Sequence, residues 1–141
     1  MFRAILIPID LPDLNVAEPA IRAAVQIAAW SGAAIRLTNV QQILPATYMD
    51  YEPPDFDAPL RRMAEDELKK IGSKISLPPE RVTVVVRIGA IYPEILDEAE
   101  EWGADLIVIG SHQPAMSTYL LGSNAAKVVR HAKCSVLVIR Q

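Results

Sequence analysis

Five short runs rich in Ile and Val constrain this chain more than any other feature: Ala4–Ile9, Ala34–Val40, Val82–Arg87, Asp105–Ile109 and Ser135–Ile139. Most are continuous rather than alternating, as strands covered on both faces must be. The segments between them carry helical spacing. Ala17, Ile21, Ala24, Val25 and Ala28 share one face, with Glu18, Arg22 and Gln26 on the other. Leu60, Met63, Ala64, Leu68, Ile71 and Ile75 form a second stripe, and Ile95, Leu96, Ala99 and Trp102 a third, opened by Pro93. Ala125, Val128, Val129 and Ala132 form a fourth, with Ser123 as its candidate N-cap. Gly32, Gly72 and Gly103 stand near the ends of the first three, where left-handed caps are expected. Strict β-α alternation predicts one α/β domain over 1–141: an open, Rossmann-like, five-stranded parallel sheet with right-handed crossovers and helices on both faces.

Composition excludes several functions. At 141 residues the chain suits one domain of the usual ~150. Fourteen basic against seventeen acidic residues, a net charge of −3, argue against a broad grip on nucleic acid or an anionic membrane. One cysteine, Cys134, cannot form an internal disulfide or a Cys-rich zinc site. No run approaches 18 apolar residues, so no membrane insertion is expected, and the N-terminal run does not read as a signal peptide. A cytoplasmic location is the expectation. Dinucleotide-binding Gly-x-Gly-x-x-Gly, the P-loop, the nucleophile elbow and His-Glu-x-x-His are all missing from the sequence.

In open α/β sheets ligands bind beyond the carboxyl ends of the strands, where strand order reverses. The residues there are Asp10 and Asp13, then Val40-Gln41, Gly89, Gly110-Ser111-His112 and the Gly122-Ser123-Asn124 turn. Glycines at a helix N-terminus let backbone N–H groups approach phosphate, and a carboxylate accepts from an adenine amine or a ribose hydroxyl. A nucleotide or another phosphorylated small molecule fits this set. A plainer reading stands beside it: Asp10 caps a turn, and Gly110 and Gly122 are turn glycines using positive φ. Two long connections, Gln41–Pro59 and Gly110–Ser123, are candidate functional loops. His131 with Lys133 suits a helix C-terminus, Cys134 a buried position, and Trp30 and Trp102 the core. Asp97-Glu98 and Glu100-Glu101 read as a solvated helix face.

Ile5-Leu6-Ile7-Pro8-Ile9-Asp10, Asp105-Leu106-Ile107-Val108-Ile109-Gly110-Ser111-His112, Leu120-Leu121-Gly122-Ser123-Asn124-Ala125 and Val128-Val129-Arg130-His131 leading into Cys134–Ile139 resemble the universal stress protein family over nearly the whole chain. The resemblance implies an adenine nucleotide alpha hydrolase-like sheet and, in many members, an ATP site marked Gly-x-x-Gly, nine residues, Gly-x-Ser/Thr. Here Gly110 matches the first glycine and Gln113 replaces the second. Pro114 to Leu121 is one residue short, Gly122 matches the third glycine, and Asn124 stands in the hydroxyl position beside Ser123. That is a variant in which loop hydroxyls, those of Ser117 and Thr118 among them, and the Gln113 amide stand in for backbone contacts. By the same resemblance Asp10 and Val40 contact adenine and ribose, and Pro8 shapes the wall. The candidate nucleotide-binding set is Pro8, Ile9, Asp10, Val40, Gly89, Gly110, Ser111, His112, Gln113, Gly122, Ser123 and Asn124. The expected ligand is ATP, ADP or AMP, with Mg2+ accompanying the phosphates through Asp10.

The expected role is that of a stress-response or regulatory protein whose nucleotide shifts conformation or assembly, and not an enzyme. The last strand is the expected homodimer surface, leading to a dimer or higher oligomer. Two alternatives remain open: a nucleotide-free dimeric interaction protein acting through the Gln41–Pro59 loop, and a weak ATP hydrolase using His112 or Asp13.

Overall fold

A computed structural model of the chain describes residues 1–42, 57–111 and 122–140. Its strands are β1 (Ala4–Pro8), β2 (Ala34–Gln41), β3 (Val82–Ile88), β4 (Leu106–Ser111) and β5 (Ser135–Arg140). Its helices are α1 (Leu14–Ser31), α2 (Asp57–Ser73), α3 (Ile91–Trp102) and α4 (Ser123–His131). Every strand pairing is parallel, and the order is β3-β2-β1-β4-β5.

The apolar runs are continuous because both faces of the sheet are covered. Ile5, Ile7, Ile35, Leu37 and Val108 pack with Ala17, Ala20, Ala24 and Ala28 of α1 and Leu68 of α2. Leu6, Ile107 and Ile109 point the other way, onto Ile95 and Ala99 of α3 and Ala125 and Val128 of α4. The buried face of α1 is all alanine, which lets the helix lie close to the sheet. At Gly110 the approach is tightest: a Cβ there would stand 2.8 Å from Val16 Cγ1 and closer still to the Val16 carbonyl.

Several expectations need correction. Gly32 and Gly103 are left-handed caps with φ of 80° and 82°, whereas Gly72 is helical, since α2 runs on through Ser73. Gly72 is small because β3 is near: an added Cβ would lie 3.3 Å from Val82 Cγ1. Gly110 and Gly122 do not use positive φ either. The N-cap of α4 is Gly122 rather than Ser123, because the Gly122 carbonyl already accepts the Ala126 N–H at 2.9 Å. Pro59 falls in the first turn of α2, where a missing N–H costs little, and not in the preceding connection.

Trp30 is 79% exposed. It lies two residues past Ala28, and about 200° of helical rotation turns it outward. Trp102 is half-buried against the α3–α4 core, with the Arg36 guanidinium 4.7 Å from its ring centroid.

Glu98 is no part of a solvated face: it is 4% exposed. It accepts from Arg36 of β2 at 2.9 Å and from Arg87 of β3 at 2.8 Å. Arg87 also reaches Glu94 and Glu101, each at 2.8 Å. These carboxylates hold the Arg87 guanidinium above its already high ordinary pKa, the Glu101 hydrogen bond most strongly. The network fastens α3 across two strands.

Candidate functional site

The strand order reverses between β1 and β4, whose loops lead to opposite faces of the sheet. A cleft of about 360 Å³ opens there. Pro8, Ile9 and Asp10 line it from the end of β1, Val40 from β2, Gly110 from β4, and Gly122, Ser123 and Asn124 from the start of α4. The fold therefore brings eight predicted residues to one place.

Asp10 is exposed at the rim. Its backbone carbonyl accepts the Asp13 N–H at 3.0 Å, closing the short turn Leu11–Asp13. Its carboxylate caps nothing and has no hydrogen-bond or ion-pair partner among the described residues. The turn thus uses the backbone of Asp10 and leaves its charge to the cleft. Opposite, the start of α4 lines the cleft with the positive end of the helix, and the N–H groups of its first turn, Ser123 to Ala125, have no described side-chain acceptor.

Ser111 lies beneath rather than in the cleft. It is buried, and its Oγ accepts the Gly122 N–H at 3.4 Å, a long bond that ties the end of β4 to the start of α4. Gly89 is set apart. It ends β3, two strands from the switch point, and its N–H donates to the Gln41 carbonyl at 2.9 Å. At φ 150°, with Glu94 against it, its role is to turn the chain into α3. His112 and Gln113 lie outside the described residues, as do Ser117, Thr118 and most of the Gln41–Pro59 connection.

The cleft also takes residues that the sequence did not offer as ligand contacts. Ile91 and Ile95 of α3 and Val16 and Ala17 of α1 supply apolar walls. Asp13, which the sequence did place after the first strand, adds a second carboxylate. Asn39, buried at the end of β2, donates its amide to the Ile9 carbonyl at 2.9 Å. The helical stripes did mark Ile95 and Ala17 as core-facing, but nothing in their spacing distinguishes a wall from a core. Asn39 carries one signal, a polar residue inside an apolar strand run.

The rest of the chemistry lies away from the cleft. His131, exposed in the last turn of α4, stacks on Tyr92 at 5.9 Å. Lys133 pairs with Glu100 at 2.8 Å. Cys134 is half-buried just before β5, and burial pushes its thiol pKa up. Among the described residues no group of three or more His, Cys, Asp or Glu could hold a metal, and no helix is long and apolar enough to cross a membrane.

Comparison with known proteins agrees with this geometry. The model of the universal stress protein family matches residues 1–140. Universal stress protein G of Shigella flexneri is 37% identical, covering 99% of this chain and 100% of its own length. The structure of UspA from Lactobacillus plantarum superposes with a TM-score of 0.74 at 26% identity, over 98% of this chain and 97% of that one. A universal stress family protein of Arabidopsis thaliana, solved with AMP bound, shares the fold at 17% identity, with a TM-score of 0.65 over 99% and 92% of the two chains. With the family model matching residues 1–140 and a relative 37% identical over nearly the whole of both chains, the chain belongs to the universal stress protein family.

Proposed function

We propose that this protein binds an adenine nucleotide in the switch-point cleft and acts in stress response or regulation through nucleotide-dependent conformation and assembly. The observation that carries the reading is two groups on one cleft that no described side chain meets: the Asp10 carboxylate and the first-turn N–H groups of α4. A nucleotide has an end for each. Its adenosine hydroxyls and amine are donors for a carboxylate, and its phosphates suit N–H groups and a helix N-terminus. Pro8, Val40, Ile91 and Ile95 supply apolar walls of the kind a base needs. AMP in a distant member of the same fold is consistent with such use of the cleft.

ATP, ADP and AMP are the proposed ligands. Mg2+ fits as a companion of the phosphates, since it ordinarily takes one or two carboxylates plus phosphate oxygens, and Asp10 and Asp13 are the carboxylates lining the cleft. The nucleotide serves as a ligand and is not turned over. The proposed homodimer forms along β5, an edge strand with half-buried Val136, Leu137, Val138 and Ile139. A cytoplasmic protein is the setting such a ligand requires.

Calorimetric titration of the wild type and Gly122→Leu with ATP tests the binding. Gly122 has φ −55° and ψ 149°, ordinary extended backbone, so leucine adds bulk at a cleft-lining position without backbone strain. Saturable heat from the wild type and none from a folded variant is expected. Equal binding by both would remove the cleft from the account. A turnover assay beside His112→Ala tests the non-enzymatic part: wild-type hydrolysis that the substitution abolishes would contradict it.

A further inference from the structure

Side chains as well as the sheet ladder join the carboxyl ends of β1 and β2, and a backbone bond ties β2 on to β3. The last β1–β2 pair is Pro8 with Thr38. One residue on, the Ile9 N–H reaches the Thr38 carbonyl at 2.7 Å, and the Ile9 carbonyl is met by Nδ2 of Asn39 at 2.9 Å. Nε2 of Gln41 donates to Oδ1 of Asn39 at 2.7 Å, and the Gln41 carbonyl accepts the Gly89 N–H at 2.9 Å. Chemistry fixes the sense of this relay. A carbonyl only accepts, so the atom facing Ile9 is the amide nitrogen, and the oxygen is left for Gln41. Asn39 is 6% exposed, whereas Gln41 is half-buried at the strand end.

The Ile9 carbonyl belongs to the peptide unit that carries the Asp10 N–H. That unit is planar, so holding its oxygen sets the direction in which Asp10 leaves the sheet. No described side-chain bond of Asp10 does this. We propose that Asn39, held by Gln41, is a positioning pair that presents Asp10 to the adenosine end of a bound nucleotide. The proposal rests on the nucleotide reading above and deepens it. The pair is bonded at the Asp10 end of the cleft, with no bond to the start of α4, so its loss weakens adenosine and ATP by the same factor. Gln41 acts only through Asn39, so the two are not additive.

The test is calorimetric titration of adenosine and ATP into the wild type, Gln41→Ala, Asn39→Ala and the double variant, with amide NMR spectra of each nucleotide-free protein. Losing one neutral hydrogen bond predicts about threefold weaker binding of both ligands for Gln41→Ala, and about tenfold for Asn39→Ala. The double variant binds no more weakly than Asn39→Ala. In the free protein Gln41→Ala moves the Asp10 amide resonance, although Gln41 does not contact Asp10. Wild-type affinity in Gln41→Ala, additive losses, loss for ATP but not adenosine, or an unmoved Asp10 resonance each overturns the proposal. Asn39→Ala leaves a buried carbonyl unmet and can fail to fold; Gln41→Ala and its spectrum then decide. If the wild type binds neither ligand, the nucleotide reading falls separately, and the Asp10 resonance alone decides whether the relay positions that peptide.

Discussion

Single residues in this protein are set by how close the backbones come. Gly110 is the clearest case, because the atoms that a Cβ would meet include the Val16 backbone carbonyl, which cannot swing aside as a side-chain tip can. Gly110→Ala must push α1 away from β4 and should cost about 2 kcal/mol, the usual penalty for forcing a methyl into a packed site. Urea unfolding checks this: the midpoint falls while the slope stays constant, and an unchanged midpoint would contradict the contact. At Cys134 burial favours the neutral thiol and raises its pKa. The thiolate is the reactive form, so at neutral pH the folded protein should react with iodoacetamide more slowly than the same protein in urea. Equal rates would show the thiol to be free. Asp10 offers the opposite case, a charge that pairs with no described residue. Asp10→Ala is expected to leave stability within about 0.5 kcal/mol while weakening nucleotide binding, and a large loss of stability would return Asp10 to a structural role.

At the scale of elements, α3 is the one that the chain takes most trouble to fix. Glu98 meets two arginines from two strands beneath a largely buried helix face. Glu98→Gln leaves Arg36 with a neutral partner while Arg87 keeps Glu94 and Glu101, and should cost about 2 kcal/mol, the usual worth of a hydrogen bond to a charged group. Thermal unfolding near the wild-type temperature would contradict that weight. This arrangement also marks where the sequence stops being legible. The five strands were readable to within two residues at either end, because burial on both faces writes an apolar run directly into the chain. Ala17, Ala24 and Ala28 of the buried face of α1 were readable from its period, whereas Ala20 was not, and Ile21 and Val25, grouped with them, are half-buried. Which helix face meets which strand was not, so Glu98 looked like its exposed neighbours Asp97, Glu100 and Glu101 until β2 and β3 placed Arg36 and Arg87 beneath it. Trp30 looked like core for a different reason, its large apolar side chain, although about 200° of rotation from Ala28 puts it off the stripe. The cleft divides likewise. Its glycines and Asp10 follow strand ends and could be found in order, whereas Asn39, Ile91 and Ile95 become site residues only when β2 and α3 converge on the switch point.

At the scale of the whole molecule, the β5 end of the sheet and its one reversal of strand order each suggest a separate function. Among the described residues the β5 end leaves one side of an apolar strand without a partner strand, so sedimentation over a range of concentrations should give twice the chain mass. A monomer throughout would contradict assembly through that edge. The reversal carries the central claim, that this cleft is a nucleotide site even though Gln113 replaces the family's second glycine and the following stretch is one residue short. The most direct measurement is to denature freshly purified protein, identify any released nucleotide by mass, and titrate the emptied, refolded protein with ATP, ADP and AMP. An adenine nucleotide released in proportion to protein, or saturable heat on titration, is the predicted result. No released nucleotide and no heat with any of the three would contradict it, and would leave the β5 edge as the functional surface of the molecule.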